Sequence, residues 1–112
     1  MRRGEVWWAS LPDPTGSGPG YRRPVVVVQA NEFNESRIQT VVVAAITSKL
    51  ALAGAPGNVL GKRRETGLPT DSVINVSQVL TLGRSFLTLK IKALPASLMR
   101  SVDAGLRLAL GL

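Results

Sequence analysis

The chain of 112 residues has neither cysteine nor histidine. The first absence removes disulfides and thiolate metal sites. The second removes the usual general base, the commonest metal ligand and the side chain that ordinarily titrates near neutral pH. Carboxylates are scarce too, with seven Asp and Glu against fourteen Lys and Arg. Scattered along the chain, they make poor material for a Mg²⁺ cage, which needs oxygens converging on one point. Neither a metal nor another cofactor is therefore expected. No apolar run approaches the ~20 residues of a membrane-spanning helix, and the N-terminus carries charge without the apolar stretch of a signal peptide. The expectation is a cytoplasmic protein with no membrane contact. The pattern Gly-x-x-x-x-Gly-Lys-Ser/Thr does not occur, so nucleotide binding of the P-loop kind is not indicated.

What the chain does have is positive charge. A formal net charge of +7, with Arg outnumbering Lys ten to four, favours a polyanionic partner. The planar Arg fork pairs with carboxylates as well as with phosphates, so a nucleic acid and an acidic protein both fit. The length suits a single domain, 1–112, whose one core buries roughly two-thirds of the unfolded surface.

The strongest local signal is Arg22-Arg23-Pro24-Val25-Val26-Val27-Val28-Gln29. Four consecutive β-branched residues suit a strand covered on both faces. Pro24 has no backbone N–H and restricts the residue before it, so the strand is expected to begin there, with Arg23 extended at its mouth. Arg22 and Arg23 are then either solvated strand-end charges or the start of a site. A second buried strand is expected over 40–48, rich in valine and alanine, and a short polar link makes the two antiparallel neighbours. That pairing places Thr47 and Ser48 near Arg23.

Upstream, residues 3–11 read as a first strand, with Val6, Trp8 and Ser10 on one face, Trp7, Ala9 and Leu11 on the other, and at least one Trp in the core. Residues 11–20 hold three prolines and three glycines, a long loop that reads either as a cover for whatever binds the Arg pair or as a disordered turn. Downstream come a polar link at 31–36, a small-residue loop at 50–57, a short strand at 58–60, a basic turn at 61–64, and strands at 71–76 and 87–91. One helix is convincing. Pro95 suits its first position, Leu98, Val102, Leu106, Ala109 and Leu110 recur at three- and four-residue steps, and Gly111 ends it. Gly105 weakens that helix by roughly 1 kcal/mol relative to Ala, so packing must hold it. Short strands and one terminal helix make a small, mainly β, barrel-like domain.

Six pieces in this order, Arg3-Gly4-Glu5-Val6-Trp7, Arg23-Pro24-Val25-Val26-Val27, Val43-Ala44-Ala45-Ile46-Thr47, Asp71-Ser72-Val73-Ile74, Gln78 and Val102-Asp103-Ala104, resemble the MazF/PemK-like toxins over essentially the whole chain. The resemblance implies an SH3-like or CcdB-like barrel that forms a homodimer, cleaves single-stranded RNA without metal, and is neutralised by an acidic antitoxin of the MazE type. It implies Arg23 and Thr47 as catalytic residues, with Arg22, Ser77 and Gln78 as neighbours whose roles it does not fix; the RNA-binding candidates are Tyr21, Arg22, Ser48 and Gln78. The chain departs from the family in having no acidic residue in Gly16-Ser17-Gly18, Asn58 where some relatives carry His, and Leu80 where a basic residue is frequent. A loop carboxylate or an imidazole is therefore not carried over as acid or base.

The residues themselves are consistent with that chemistry. A guanidinium such as that of Arg23 offers several donors to phosphate oxygens as charge develops, and makes a poor base because its ordinary pKa lies above ~12. Thr47 can orient or donate to the same phosphate, or can simply bond a neighbouring strand. Glu5, Glu65 and Asp71 are the candidates for proton transfer, with Glu5 and Asp71 equally readable as a solvated strand position and a turn residue. Lys62, Arg63 and Arg64 read as a solvated turn that would at most track phosphates. Among Trp7, Trp8, Tyr21 and Phe86, only Tyr21 is placed as a base-stacking platform, and the Trp pair reads as core. Two other readings use the same fold: a gyrase-poisoning toxin of the CcdB kind, and a noncatalytic RNA- or protein-binding module. The ending Leu110-Gly111-Leu112 lacks the aromatic before Gly-Ile that the CcdB branch uses.

Overall fold

In the computed structural model, which describes residues 1–11 and 21–112, the valine runs form the middle of the sheet. The elements follow in the order β1 (Glu5–Leu11), β2 (Tyr21–Val27), α1 (Asn31–Asn34), β3 (Thr40–Thr47), β4 (Val59–Gly61), α2 (Arg63–Thr66), β5 (Ser72–Gly83), β6 (Leu87–Ala93) and α3 (Ala96–Leu110). The strands make one six-stranded sheet in the order β4-β5-β3-β2-β1-β6, antiparallel at every pairing and curled into a half-barrel.

Strand alternation divides the core in two. On one face Val6, Val26, Ala44, Ile46, Ile74 and Val76 pack with Val102 and Leu106 of α3. On the other, Ala9, Val25, Val27, Val41, Val43 and Leu87 pack together. The valine run is thus covered on both sides, as its composition predicts. The first strand keeps its expected alternation, Trp8 joining the helix face and Trp7 the opposite one. Neither Trp is core, however. Both are half-buried, because each lies toward the margin of its cluster.

Several boundaries differ from expectation for local reasons. β2 starts at Tyr21, three residues before Pro24. Residues 21–24 pair with β1 alone, since the ladder to β3 begins at Val25↔Ala45, and a one-sided segment tolerates the missing N–H of Pro24. The polar link and the basic turn each contain a helix of four residues, α1 and α2, too short to show a period. The loop over 50–57 contains a 3₁₀ turn at Leu50–Gly54. The strand expected at 71–76 runs on through β5 for 12 residues. The loop reading for residues 12–20 lies outside the described residues.

α3 starts one residue after Pro95, which takes the cap position, and ends at Gly111 in a left-handed conformation with φ 71°. Gly105 is where the helix meets the sheet. A Cβ added there would lie 2.1 Å from the carbonyl oxygen of Gly57 and 3.1 Å from the Val76 side chain. At the other end of the sheet, Arg3 ties β1 to α3. Its Nη1 sits 2.8 Å from Asp103 Oδ1, at ion-pair distance but outside hydrogen-bond alignment, while its Nε donates to the Val28 carbonyl at 2.8 Å.

Candidate active site

β2 and β3 pair with Val25↔Ala45 at the last registered position toward the site. Two residues further on, the same register brings Arg23 opposite Thr47 on one face. The Arg22 and Ser48 side chains fall on the other face by alternation. The two arginines are therefore not a double-pronged clamp: Arg22 lines one cleft, while Arg23 stands at the edge of two.

The first cleft, about 270 Å³, is lined by Tyr21, Arg23, Thr47, Lys49, Asn75 and Gln78 over apolar walls. The second, about 220 Å³, contains Arg22 and Ser48 beside Trp8 and Pro69, and shares Arg23 and Thr47 with the first. Four of the six candidate residues thus meet in one cleft, and the other two lie around its rim. Tyr21 is the first residue of β2 rather than part of a loop, and its ring has the Arg23 guanidinium 5.4 Å from its centroid. Arg22 stacks in the same way on Trp8, at 4.8 Å. Arg23 is exposed. Thr47 Oγ1 accepts the Lys49 backbone N–H at 3.2 Å, which directs its own hydroxyl hydrogen elsewhere.

A larger concavity, about 740 Å³, lies between α3 and the far ends of β2 and β3, bordered by Phe33, Ile38, Leu106 and Leu110. Of its charged residues, Arg3 and Asp103 pair with each other and Arg107 is exposed. The smaller clefts are the candidates, because Arg23 and Thr47 line both of them.

The three proton-transfer candidates are placed away from that point. Glu5 is buried rather than solvated, four residues up β1 from Ala9, the partner of Arg23. Burial raises its pKa, but the Arg2 backbone N–H, the Lys90 ammonium and the Trp7 indole N–H together outweigh that effect and leave the carboxyl below its ordinary value. The contacts are 2.9 Å from Arg2 N, 3.0 Å from Lys90 Nζ and 3.1 Å from Trp7 Nε1. Glu65 accepts the Lys62 backbone N–H at 3.0 Å, and Asp71 that of Arg63 at 2.9 Å, so both close the α2 turn. Among the described residues no carboxylate lines either cleft. Lys62, Arg63 and Arg64 are exposed, and Arg63 borders a shallow concavity that also takes in Ser48, Pro69 and Thr70.

Sequence reasoning missed the element that completes the first cleft. Between Ala44 and Ala45 of β3 the partner on β5 jumps from Val79 to Asn75, so residues 76–78 form a bulge. Asn58, at the position where some relatives carry His, braces it by accepting the Val76 N–H at 3.0 Å and donating to the Leu52 carbonyl at 3.0 Å. The bulge brings Asn75 and Gln78 into the first cleft with Thr47 and leaves Ser77 exposed. Its only trace in the sequence is the short polar interruption Asn75-Val76-Ser77-Gln78 in an otherwise alternating run.

Comparison with known proteins agrees with this geometry. Over its full length the chain is 50% identical to endoribonuclease MazF2 of Mycobacterium bovis and to endoribonuclease MazF6 of Mycobacterium tuberculosis, covering 98% of each. Among solved structures it resembles a MazE-MazF complex from Deinococcus radiodurans (TM-score 0.80, 22% identity, covering 100% of this chain and 97% of that one). It also resembles a mycobacterial endoribonuclease in complex with its cognate antitoxin (TM-score 0.79, 24% identity, 100% and 96% covered). The profile of the PemK-like, MazF-like toxins of type II toxin-antitoxin systems matches residues 2–110, and the chain belongs to that family.

Proposed function

We propose that this protein is an endoribonuclease toxin that cuts single-stranded RNA at the edge shared by the two clefts, with Arg23 and Thr47 as its catalytic residues. The observation that carries the reading is the placement of an exposed guanidinium opposite a hydroxyl whose acceptor side is already engaged, at the junction of two grooves. The reacting 2′-OH attacks the adjacent phosphorus, the bond to the 5′ oxygen breaks, and the products are a 2′,3′-cyclic phosphate and a 5′-OH. One proton leaves the 2′ oxygen and one reaches the departing 5′ oxygen. Arg23 donates to the phosphorane oxygens as their charge grows, and the Thr47 hydroxyl donates to one of them. With Glu5, Glu65 and Asp71 engaged elsewhere, positioning and charge stabilisation do most of the work.

Tyr21 stacks a base, while Arg22, Ser48 and Gln78 hold the chain on either side of the cut. The toxin acts in the cytoplasm as a homodimer and is neutralised by an acidic antitoxin that covers the same cations. No helix among the described residues is long and apolar enough to cross a membrane.

The test compares an all-RNA oligonucleotide with one carrying a single 2′-deoxy sugar on the 5′ side of the cut, both in EDTA, with the ends typed by mass. The all-RNA strand should be cut to a cyclic phosphate and a 5′-OH. The deoxy strand should bind nearly as well and stay intact, since phosphate contacts supply most of the affinity. Efficient cutting of the deoxy strand, or a 3′-OH product, would show that water is the attacking group.

A further inference from the structure

The β5 bulge fixes the orientation of an amide in the first cleft. Asn75 Oδ1 receives two hydrogen bonds from the same residue, from the Ser77 backbone N–H at 3.3 Å and from the Ser77 hydroxyl at 2.7 Å. A backbone N–H can only donate, so the atom facing it must be the oxygen, and the Asn75 amide cannot flip. Its Nδ2 therefore points the other way and lies 3.4 Å from Gln78 Oε1. That contact turns the Gln78 oxygen toward Asn75 and leaves its amino group outward. An Asn side chain offers an acceptor and a donor in principle, but here the acceptor is used and Asn75 presents only N–H to a base; the acceptors that line the cleft are the hydroxyls of Tyr21 and Thr47. Arg23 and Lys49, which line the same cleft, add donors and no acceptor.

We infer that Asn75, held by Ser77, reads one base of the RNA. It selects a base whose exocyclic group is a keto oxygen, O4 of uracil or O6 of guanine, over one whose group is an amino, N4 of cytosine or N6 of adenine. An amino group brought to this position meets another donor and loses its water without gaining a partner. The inference rests on the endoribonuclease reading, and adds to it a specificity-determining residue and the class of base that the residue takes.

The experiment digests RNA containing a randomised segment with the full-length wild type, Asn75→Asp and Asn75→Ala, and counts base frequencies at every position around the cut by sequencing the new 5′ ends. Thermal melting checks that each variant is folded. Wild type should favour U or G at one position by about tenfold or more, the scale of one well-placed base contact. Asn75→Asp puts an acceptor where the donor was and should move that position toward C or A, leaving the other positions alone. Asn75→Ala removes the donor altogether and should bring the same position close to indifference. If the added charge of Asp slows cleavage too far to sequence, the Asn75→Ala profile decides. A cleavage profile unchanged in the variants, or slowed equally at all sequences, overturns the inference while the nuclease reading stands. A wild type that leaves RNA intact removes both.

Discussion

Arg22 and Arg23 are adjacent in the chain and face opposite sides of the sheet, so alanine at each should do different damage. Arg23→Ala removes donors aimed at the reacting phosphate, and cleavage should fall by about 10²–10³ or more, the scale for one charge-stabilising donor. The melting temperature should hardly move, because the side chain is exposed. Thr47→Val should likewise cost more activity than stability. Arg22→Ala should instead raise KM and flatten the salt dependence of binding, with kcat little changed. Equal losses of kcat at both positions would contradict the assignment. Glu5 gives a second residue-scale prediction. Its carboxyl is held below the ordinary value in the folded chain, so its contribution is present above the usual carboxylate range and is lost as pH falls through the folded pKa. Melting followed from about pH 6 to about pH 3 should therefore show a shallower decline for Glu5→Gln than for wild type. The burial of Glu5 was not legible in the sequence, because Lys90 comes from a strand 85 positions later and Trp7 turns its N–H back along the same strand.

At the scale of elements, what could be read and what could not divide according to where the information lies. The pairing of β2 with β3, and with it the meeting of Arg23 and Thr47, was legible, since two valine-rich runs separated by a short link have few ways to bury themselves. The alternation of β1 was legible for the same reason. The opposed directions of Arg22 and Arg23 follow from that same alternation once β2 is known to begin at Tyr21. α1 and α2 were not legible, being single turns. Nor was the bulge, whose existence depends on the register of β5 against β3 and on an Asn58 brace from a different segment. The helix was plain from its period, and the need for packing around Gly105 has a definite structural cause. Gly105→Ala should raise the intrinsic helix preference by roughly 1 kcal/mol, yet its Cβ would collide with the Gly57 carbonyl. Overpacking of this kind costs about 1–3 kcal/mol or more, so the urea midpoint should fall. A midpoint that rises would mean that the turn at Gly57 yields without cost.

For the whole molecule, the excess of fourteen cations over seven anions acts on any polyanion that approaches, but the clefts decide which contacts count. On the proposed function, RNA and an acidic antitoxin segment draw on the same arginines. The two should therefore compete, and the competition should weaken as salt is raised. Fluorescence anisotropy of a labelled RNA, titrated with an acidic antitoxin peptide on an uncleavable 2′-deoxy substrate, checks this. A stable ternary complex with undiminished RNA affinity would place the inhibitory surface elsewhere.

The two clefts lie on opposite faces of the sheet and meet at Arg23, Ile46 and Thr47. A polymer that occupies both must fold over the end of β2 and β3 within a few nucleotides, with its scissile phosphate at the crest. A single strand has torsions enough to do so. A duplex as stiff as DNA, whose persistence length is about 50 nm, does not bend on that scale without a large elastic cost. Flexibility of the substrate thus becomes a selection rule in its own right. A cut site hidden in a hairpin stem should be spared although its sequence is intact, and melting that stem should expose it.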